Sequence, residues 1–418
     1  MNLLRERGFA LLWGGQFLGV LADWSLRTLL LIWVYALTRS GVAVSLVGLA
    51  EALPLLLLAP VAGVFVDRWS RAATMAGSVL ARAALLLPLL IVTDRAGLPI
   101  ILAVTLLANA ALQFFLPAAS AAIPAVVGSE RAGQANGLLS LANGVIAAVG
   151  PAGAALLFAT IGPRGTVLAL IGVYLLTAPV LAAVPAPRPA ESGSARVTVV
   201  REMADGLRYV RRSRLLVSLI AVAFVALLGV GALSVLDVVF VTRALRLRAE
   251  TVGVLFLASG MGQVVGGLVV AALSARAARR YHLLLGVSTV ANGLALLGYA
   301  LAPSLPVAVV ALVASGLSFP PLIVSFMTLA QLATDDLYMG RVMSLINTGM
   351  AVAMIASMTF GGALTDLFGV RQVIGVGAAL LVAASPQPRA RCQSTNPMRG
   401  AASRLPPGNR GVLIGRAP

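Results

Sequence analysis

Three charged side chains lie within the first two apolar segments of this 418-residue sequence. Asp23 falls about fourteen residues into the first segment, Arg27 follows four positions later, and Glu51 falls about nine residues into the second. A helix rises about 1.5 Å per residue, and the second segment is expected to return across a membrane in the direction opposite to the first. Asp23 and Glu51 are therefore expected at a similar depth in that membrane. A carboxylate at that depth can bind a proton from one side of the membrane and release it to the other side. We therefore predict that Glu51 or Asp23 carries a coupling proton, with Arg27 competing for the carboxylate.

The same spacing permits an interpretation without proton transfer. An isolated charge inside a bilayer costs at least about 2.5 to 3.5 kcal/mol, so each charge is expected to have a partner. Asp23 and Arg27 are separated by one helical turn, and a permanent pair between them would only position two helices. Arg82, in the third segment, could attract an anionic substrate, pair with Glu51 or extend to the membrane boundary. Asp237 is expected to pair with Arg243.

Polar and aromatic side chains recur inside the apolar segments and could line a substrate cavity. Amides in hydrocarbon need partners, so hydrogen bonds between helices explain most of them without a ligand. The candidates for the cavity are Arg82, Asn109, Gln113, Phe114, Asn143 and Gln263.

The composition requires elements that cross a membrane. Hydrophobic residues make up 60% of the chain and charged residues 11%, whereas soluble domains have about 25% charged residues. Apolar segments of roughly twenty residues, the length needed to cross a hydrocarbon core, recur along the chain. We predict an all-α membrane protein with twelve spans in two sets of six, the last span being short. The spans are expected at 9–37, 42–66, 73–93, 98–123, 134–160, 166–184, 215–241, 251–273, 282–302, 306–331, 341–364 and 370–384.

Residue usage also excludes several chemistries. All 31 basic residues are arginine, so the chain has no lysine for a phosphate-binding loop or a Schiff base. The one histidine, His282, and the one cysteine, Cys392, cannot form a metal site or a disulfide. The net charge of +17 is spread over short connections and a tail, and aromatic residues are 6% of the chain, which argues against nucleic-acid binding. We expect no enzyme activity, no ATP and no metal.

The arrangement of polar segments predicts the domains and their orientation. A Pro-rich and then amphipathic linker at 186–214 separates six-span bundles at 1–185 and 215–384. If the N-terminus is cytoplasmic, most arginines fall on the cytoplasmic side of the membrane, so both termini are expected there. The protein is expected in a cell membrane. The use of arginine without lysine, together with much Ala and Gly, suggests a bacterial source. Residues 385–418 contain six arginines and no acid, and are expected to be disordered. This tail is either a basic extension or the product of a shifted reading frame that truncates the last helix.

One short charged loop carries a recognisable pattern. GVFVDRWSR, residues 63–71, resembles the loop signature GxxxDRxxRR of the major facilitator superfamily, with Gly63, Asp67, Arg68 and Arg71 in register. A weaker second copy is ALSARAARR, in which Ala275 replaces the aspartate. The resemblance implies that Asp67 makes a contact in only one conformation. Substituting Asp67→Asn is therefore expected to impair transport while preserving substrate binding.

Longer stretches are similar to one branch of that superfamily. The chain resembles macrolide-efflux and enterobactin-exporter type permeases in four stretches, FALLWGGQF, FFLPAASAAIPAVV, QANGLLS and DGLRYVRRSRLL. In addition, Gly150 with Pro151 resembles the Gly-Pro motif of drug/proton antiporters, although close packing explains that dipeptide equally well. The resemblance implies export of a drug, macrolide-like antibiotic or siderophore by alternating access, driven by the proton gradient, in a monomer. The alternatives are a nutrient importer, and a degenerate permease that acts as a membrane scaffold or sensor.

Overall fold

Apolar stretches of about twenty residues fold as helices here, because a backbone in lipid must satisfy its own hydrogen bonds. The computed structural model describes residues 3–66, 69–185, 207–230, 233–274, 281–335 and 338–384. Every regular element in these ranges is helical. Nine of the described helices are long and apolar enough to cross a membrane.

The first four helices match the first four predicted spans. The third ends earlier than expected as an α-helix and continues as a 3-10 turn at Leu87–Ile91. Pro88 lies in that turn and has no backbone N–H, so the α-helical hydrogen-bond pattern cannot continue through it. These helices are α1 (Arg7–Thr38), α2 (Gly41–Val66), α3 (Arg71–Leu85) and α4 (Leu98–Val127).

The fifth and sixth spans form one continuous helical element, Ala132–Ala182, that is sharply bent. The bend is at Gly162, whose φ of 71° and ψ of 179° are not helical. Positive φ is inexpensive only for glycine, and Pro163 follows it, so the chain reverses here without a longer loop. The arms before and after the bend, 132–161 and 163–182, are called α5 and α6.

The remaining helices supply the last six spans. The seventh span consists of two helices, and the second of them continues into a π-helical turn at Phe240–Ala244. A further helical turn lies at 207–212, at the end of the predicted linker. The helices are α7 (Arg214–Val230), α8 (Leu233–Val239), α9 (Val252–Ser274), α10 (Tyr281–Leu301), α11 (Leu305–Leu332), α12 (Met339–Phe368) and α13 (Val370–Ala383).

The final helix is short, as expected. It has 14 residues, which corresponds to about 21 Å at 1.5 Å per residue, less than the roughly 30 Å of a hydrocarbon core. The predicted tail at 385–418 and most of the predicted linker, 186–206, lie outside the described residues. The boundaries of the two predicted bundles stay a prediction.

Helix packing brings distant segments together. The helix Ala132–Ala182 packs against α1 and α3, and α4 packs against α2 and α3. Among the later helices, α11 packs against α9 and α10, and α10 packs against α13. Crossings of α2 with α12 and of α5 with α9 join the first six spans to the last six. The end of the molecule where α1 ends and α2 begins is called the Arg39 end below.

Candidate functional site

Asp23 forms an ion pair with an arginine from another helix. Its Oδ1 accepts a hydrogen bond from Nη1 of Arg82 on α3 and a second one, of 2.6 Å, from the hydroxyl of Tyr174 on α6. The interpretation that Asp23 pairs permanently with Arg27 is therefore wrong. One helical turn would allow that pair, but α3 and α6 bring two donors to the same carboxylate oxygen.

Arg82 is enclosed by aromatic rings and helix backbone. It is only 1% exposed, and the centre of its guanidinium group lies 5.0 Å from the ring of Tyr174 and 5.3 Å from that of Phe115. Its Nε donates to the carbonyl of Ser78 at 3.4 Å, while Nη2 is buried without a hydrogen-bond partner among the described residues. The alternative in which Arg82 extends to the membrane boundary is therefore wrong.

Glu51 pairs with Arg27. Oε2 of Glu51 lies 3.1 Å from Nε of Arg27, and the guanidinium group of Arg27 also lies over the ring of Trp24, 5.7 Å from its centre. Both charged side chains are partly accessible. The suggested pair of Arg82 with Glu51 is not formed, because each carboxylate is contacted by a different arginine.

The two ion pairs share one cavity. It has a volume of about 210 Å³ and lies between α1, α2, α3 and α4. Four charged groups of zero net formal charge and one amide, that of Asn109, face apolar side chains across it. Asn109 itself donates to the carbonyl of Thr105 at 2.9 Å. The lining residues are Asp23, Trp24, Leu26, Arg27, Leu30, Glu51, Arg82, Ala108, Asn109 and Leu112.

A third carboxylate within the spans lies among the later helices, and it is buried. Asp237 on α8 is 7% exposed, and its Oδ1 accepts a 2.9 Å hydrogen bond from the hydroxyl of Tyr299 on α10. Its expected pair with Arg243 is not present, because Arg243 points to the Arg39 end and contacts Asp366. The sequence analysis missed Tyr174 and Tyr299; tyrosines within apolar segments are the available signal, since a buried phenol needs a partner.

Hydrogen bonds connect the first and last spans at the Arg39 end. Asp366, near the end of α12, accepts backbone N–H bonds from Gly41 at 3.3 Å and Val42 at 3.2 Å. Arg243 donates to Asp366 and, through Nη2, to the carbonyl of Arg39 at 2.7 Å. Asp366 thus caps the first turn of α2, where the helix dipole favours a negative charge.

A family model decides what kind of protein this is. The model described as Major Facilitator Superfamily matches residues 12–358. The chain belongs to this superfamily. The predicted resemblance and the all-α membrane fold are confirmed, and the protein is a membrane-embedded secondary transporter for a small molecule, not an enzyme.

Curated relatives of this transporter are distant but match over most of its length. An uncharacterized MFS-type transporter, YfiS, of Bacillus subtilis is 24% identical over 386 residues, which cover 90% of this chain and 91% of the relative. Macrolide efflux protein A of Streptococcus pyogenes is 25% identical over 386 residues, which cover 90% of this chain and 93% of the relative.

Solved structures show the same fold. A bacterial homologue of the iron transporter ferroportin, in its inward-facing state, gives a TM-score of 0.71 at 18% identity, covering 92% of this transporter and 98% of the homologue. The nucleoside transporter NupG gives a TM-score of 0.71 at 13% identity, with coverage of 92% and 98%. At these identities, the likeness is one of fold alone.

The other predicted cavity residues of the transporter lie apart from the ion pairs. Gln113 is buried and donates to the carbonyl of Asn109 at 3.2 Å, while Phe114 stacks on Trp69 with ring centres 6.1 Å apart. Gln263, on α9, donates to Oγ of Ser259 at 3.3 Å, and Asn143 on α5 is exposed. Of the six candidates, Arg82 and Asn109 line the 210 Å³ cavity described above.

The Gly-Pro pair of the transporter lies at a close helix contact. The carbonyl of Gly150 accepts a 3.0 Å hydrogen bond from the hydroxyl of Ser25 on α1. A Cβ atom added at Gly150 would lie 3.0 Å from Cβ of Trp24, and both Gly150 and Pro151 are buried. This geometry supports the packing interpretation of the dipeptide, and it places α5 directly behind the residues that line the cavity.

The loop motif of the transporter is described only in part. Gly63 lies in the last turn of α2 and Arg71 begins α3, where the side chain of Ser70 accepts a 3.5 Å bond from the N–H of Ala73. Asp67 and Arg68 lie outside the described residues, as do residues 275–280 of the second copy. The conformational role of the motif therefore stays a prediction.

Proposed function

We propose that this transporter exports a small amphiphilic compound in exchange for protons by alternating access. The observation that carries the proposal is that the Glu51 to Arg27 and Asp23 to Arg82 pairs line one cavity. An ionisable residue within a span is expensive and is therefore a functional candidate by default. A proton gradient is the only energy source the proposal requires, with no further cofactor.

The two pairs differ in how readily a proton could replace the arginine. Asp23 is held by donors from two helices, Arg82 and Tyr174. Glu51 forms an ion pair with Arg27 alone among the described residues, and both side chains, which line the cavity, are partly accessible. Protonation of Glu51 removes one charge contact between α1 and α2, whereas protonation of Asp23 disturbs contacts with both α3 and α6. Glu51 is thus the proton carrier in this proposal, and Asp23 the positioning residue.

The cavity chemistry favours an amphiphilic substrate. Trp24, Leu26, Leu30 and Leu112 supply apolar surface beside the charged groups. Its volume of about 210 Å³ is below the roughly 300 to 1,000 Å³ of typical ligand sites, so a larger compound would also need side chains from the later helices. A drug, a macrolide-like antibiotic or a siderophore fits this description, and a curated relative is named for macrolide efflux.

An accumulation assay in a host without its own pumps tests the direction. Expression is expected to lower cellular accumulation of at least one drug, macrolide or siderophore, and collapse of the proton gradient is expected to abolish the difference. Increased accumulation would instead indicate a nutrient importer. If the purified protein in liposomes responds to no gradient with any compound, the scaffold or sensor alternative replaces the proposal.

The orientation can be tested through the single cysteine. The arginine distribution supports a cell-membrane protein with both termini in the cytoplasm, and we propose that it acts as a monomer. Cys392 lies in the C-terminal tail. A membrane-impermeant thiol reagent should label it in inverted vesicles but not in intact cells. Labelling in intact cells would place the C-terminus outside.

A further inference from the structure

Asp237 is a buried carboxylate held by a neutral donor. It is 7% exposed, and its bond to the phenol of Tyr299 measures 2.9 Å. The ring of Tyr299 in turn packs on that of Phe240, with ring centres 4.3 Å apart. No arginine forms an ion pair with Asp237 within the described part of the chain.

Asp23 is the informative comparison. Each of the two aspartates lies in the first span of its set of six and accepts a hydrogen bond from a buried tyrosine. Asp23 also contacts the guanidinium group of Arg82, whereas among the described residues the phenol of Tyr299 is the only side chain that donates to Asp237. A buried carboxylate without a cation is strongly destabilised in its ionised form, so a bound proton is the simplest compensation.

The charges within the bundle lead to the same conclusion. Among the described residues in the interior of the spans, Asp23, Glu51 and Asp237 supply three carboxylates, whereas Arg27 and Arg82 supply two guanidinium groups. One carboxylate is therefore left without a positive charge if all three are ionised. One bound proton balances this set.

Arg27 is placed to serve two of these carboxylates. It pairs with Glu51, and α8, which carries Asp237, packs against both α1 and α2. Arg27 belongs to the first six spans and Asp237 to the last six, so a change of partner by Arg27 alters a contact between the two sets.

Other ionisable groups near α8 have partners or positions elsewhere. Arg371 on α13 donates to the carbonyls of Ala300 and Ala302 at 2.8 and 2.7 Å, with its guanidinium group over the ring of Phe240. Helix α9 contains no ionisable side chain, and Glu250, just before it, pairs with Arg248. The remaining ionisable residues on the elements in contact with α8 are Arg7, Tyr35 and Arg39 on and after α1, Arg243 after α8, Tyr281 and His282 at the start of α10, and Arg341 and Asp366 at the two ends of α12.

We propose that Asp237 is a second proton-binding site, and that Arg27 alternates between Glu51 and Asp237 as one proton changes carboxylate. In the described conformation, Asp237 holds the proton and Arg27 pairs with ionised Glu51. When Asp237 releases its proton and Glu51 binds one, the negative charge moves to Asp237 and Arg27 follows it. The number of bound protons and the net charge are the same before and after. This inference rests on the proposed proton coupling and adds the carboxylate in the later helices.

The occupant is a proton and not a metal cation. Hard cations need six or more oxygen ligands, and one carboxylate with one phenol supplies far fewer. A phenol that donates to one oxygen of the carboxyl group leaves the other oxygen able to carry the proton.

Infrared spectroscopy of the full chain in liposomes tests the site without any substrate. A protonated carboxylic acid has a C=O stretching band that a carboxylate lacks. At neutral pH, Asp237→Asn is expected to remove this band and Tyr299→Phe to shift it to higher frequency, because a hydrogen bond is lost. Glu51→Gln resembles protonated Glu51 and releases Arg27, so the alternation predicts that Asp237 ionises and that the band is lost in this variant as well. If the wild type has no such band, or if the band survives in Asp237→Asn, the proposed site is wrong.

Arg27→Gln tests the alternation separately. With Arg27 absent, neither Glu51 nor Asp237 has an arginine partner among the described residues, so the band is expected to grow from one carboxyl group to two. An unchanged band contradicts the shared role of Arg27. The spectra can be recorded without any transport. If Asp237 gives the band but transport does not depend on the proton gradient, proton coupling is refuted, whereas the proposal that Asp237 binds a proton still holds.

Discussion

Arg243 donates from Nη1 to Oδ1 of Asp366 across 2.7 Å, and this bond connects the seventh span to the eleventh at the Arg39 end. Asp366 at the same time caps α2, which belongs to the first six spans. The carboxylate of Asp366 therefore holds three spans together. Arg39, whose φ of 54° is left-handed, turns its carbonyl toward the same arginine.

Asp366→Asn is expected to open the Arg39 end more often. The pair is partly exposed, with relative side-chain exposures of 37% and 28%, so its loss is worth only about 1 kcal/mol, or roughly a fivefold change in the equilibrium. Ser45, buried where α2 crosses α12, is a suitable reporter. In a Cys392→Ser background, Ser45→Cys should react with a thiol reagent several-fold faster when Asp366→Asn is present. Glu250→Gln, which breaks an ion pair within one connection, is the control and should not change the rate.

Arg82→Gln is expected to destabilise the transporter strongly. Removing one member of a buried ion pair leaves Asp23 with Tyr174 only and costs about 3 to 5 kcal/mol. The melting temperature of the purified protein in detergent should fall, and adding Asp23→Asn should recover part of the loss. Arg131→Gln removes the exposed pair with Glu6 and should cost no more than about 1 kcal/mol. Equal effects of Arg82→Gln and Arg131→Gln would contradict the role assigned to burial.

Glu51→Gln is expected to abolish the proton dependence of transport, because glutamine cannot exchange the coupling proton or pair ionically with Arg27. Uptake of a compound identified by the accumulation assay would be measured in inverted vesicles with and without a pH gradient. Glu130→Gln, at an exposed position between α4 and α5, is the matched control. Undiminished proton dependence in Glu51→Gln would remove Glu51 from the mechanism.

Gly150→Ala is expected to destabilise the contact between α1 and α5. The new Cβ would lie 3.0 Å from Cβ of Trp24 and 3.4 Å from the carbonyl oxygen of Leu21, and such overpacking typically costs about 1 to 3 kcal/mol. Gly144→Ala is the control, since an added Cβ there has no neighbour within 4 Å among the described residues. It should be neutral, or stabilising by up to about 1 kcal/mol, because alanine favours helices. Similar melting temperatures for the two variants would show that Gly150 is not a tight contact.

The sequence alone was sufficient to predict the spans, the superfamily and the charged residues of the cavity. Twenty apolar residues in a row have few alternatives to a membrane helix, because lipid offers no hydrogen bonds to the backbone. Depth also follows from residue number, since the rise per residue is constant. Asp23, Arg27 and Glu51 were therefore placed together correctly, and all three line one cavity.

The partners of these charges were decided by the tertiary structure. Residue spacing favoured Asp23 with Arg27, but Arg82 and Tyr174 reach Asp23 from helices that follow 59 and 151 residues later. The same applies to Asp237, which Tyr299 contacts in place of Arg243. The spacing of residues shows which side chains share one face of a helix. Which of the charges at equal depth in the membrane pair with one another depends on how neighbouring helices are rotated and packed. The sequence thus determines which charges lie in the membrane, and only helix packing determines which of them pair with one another.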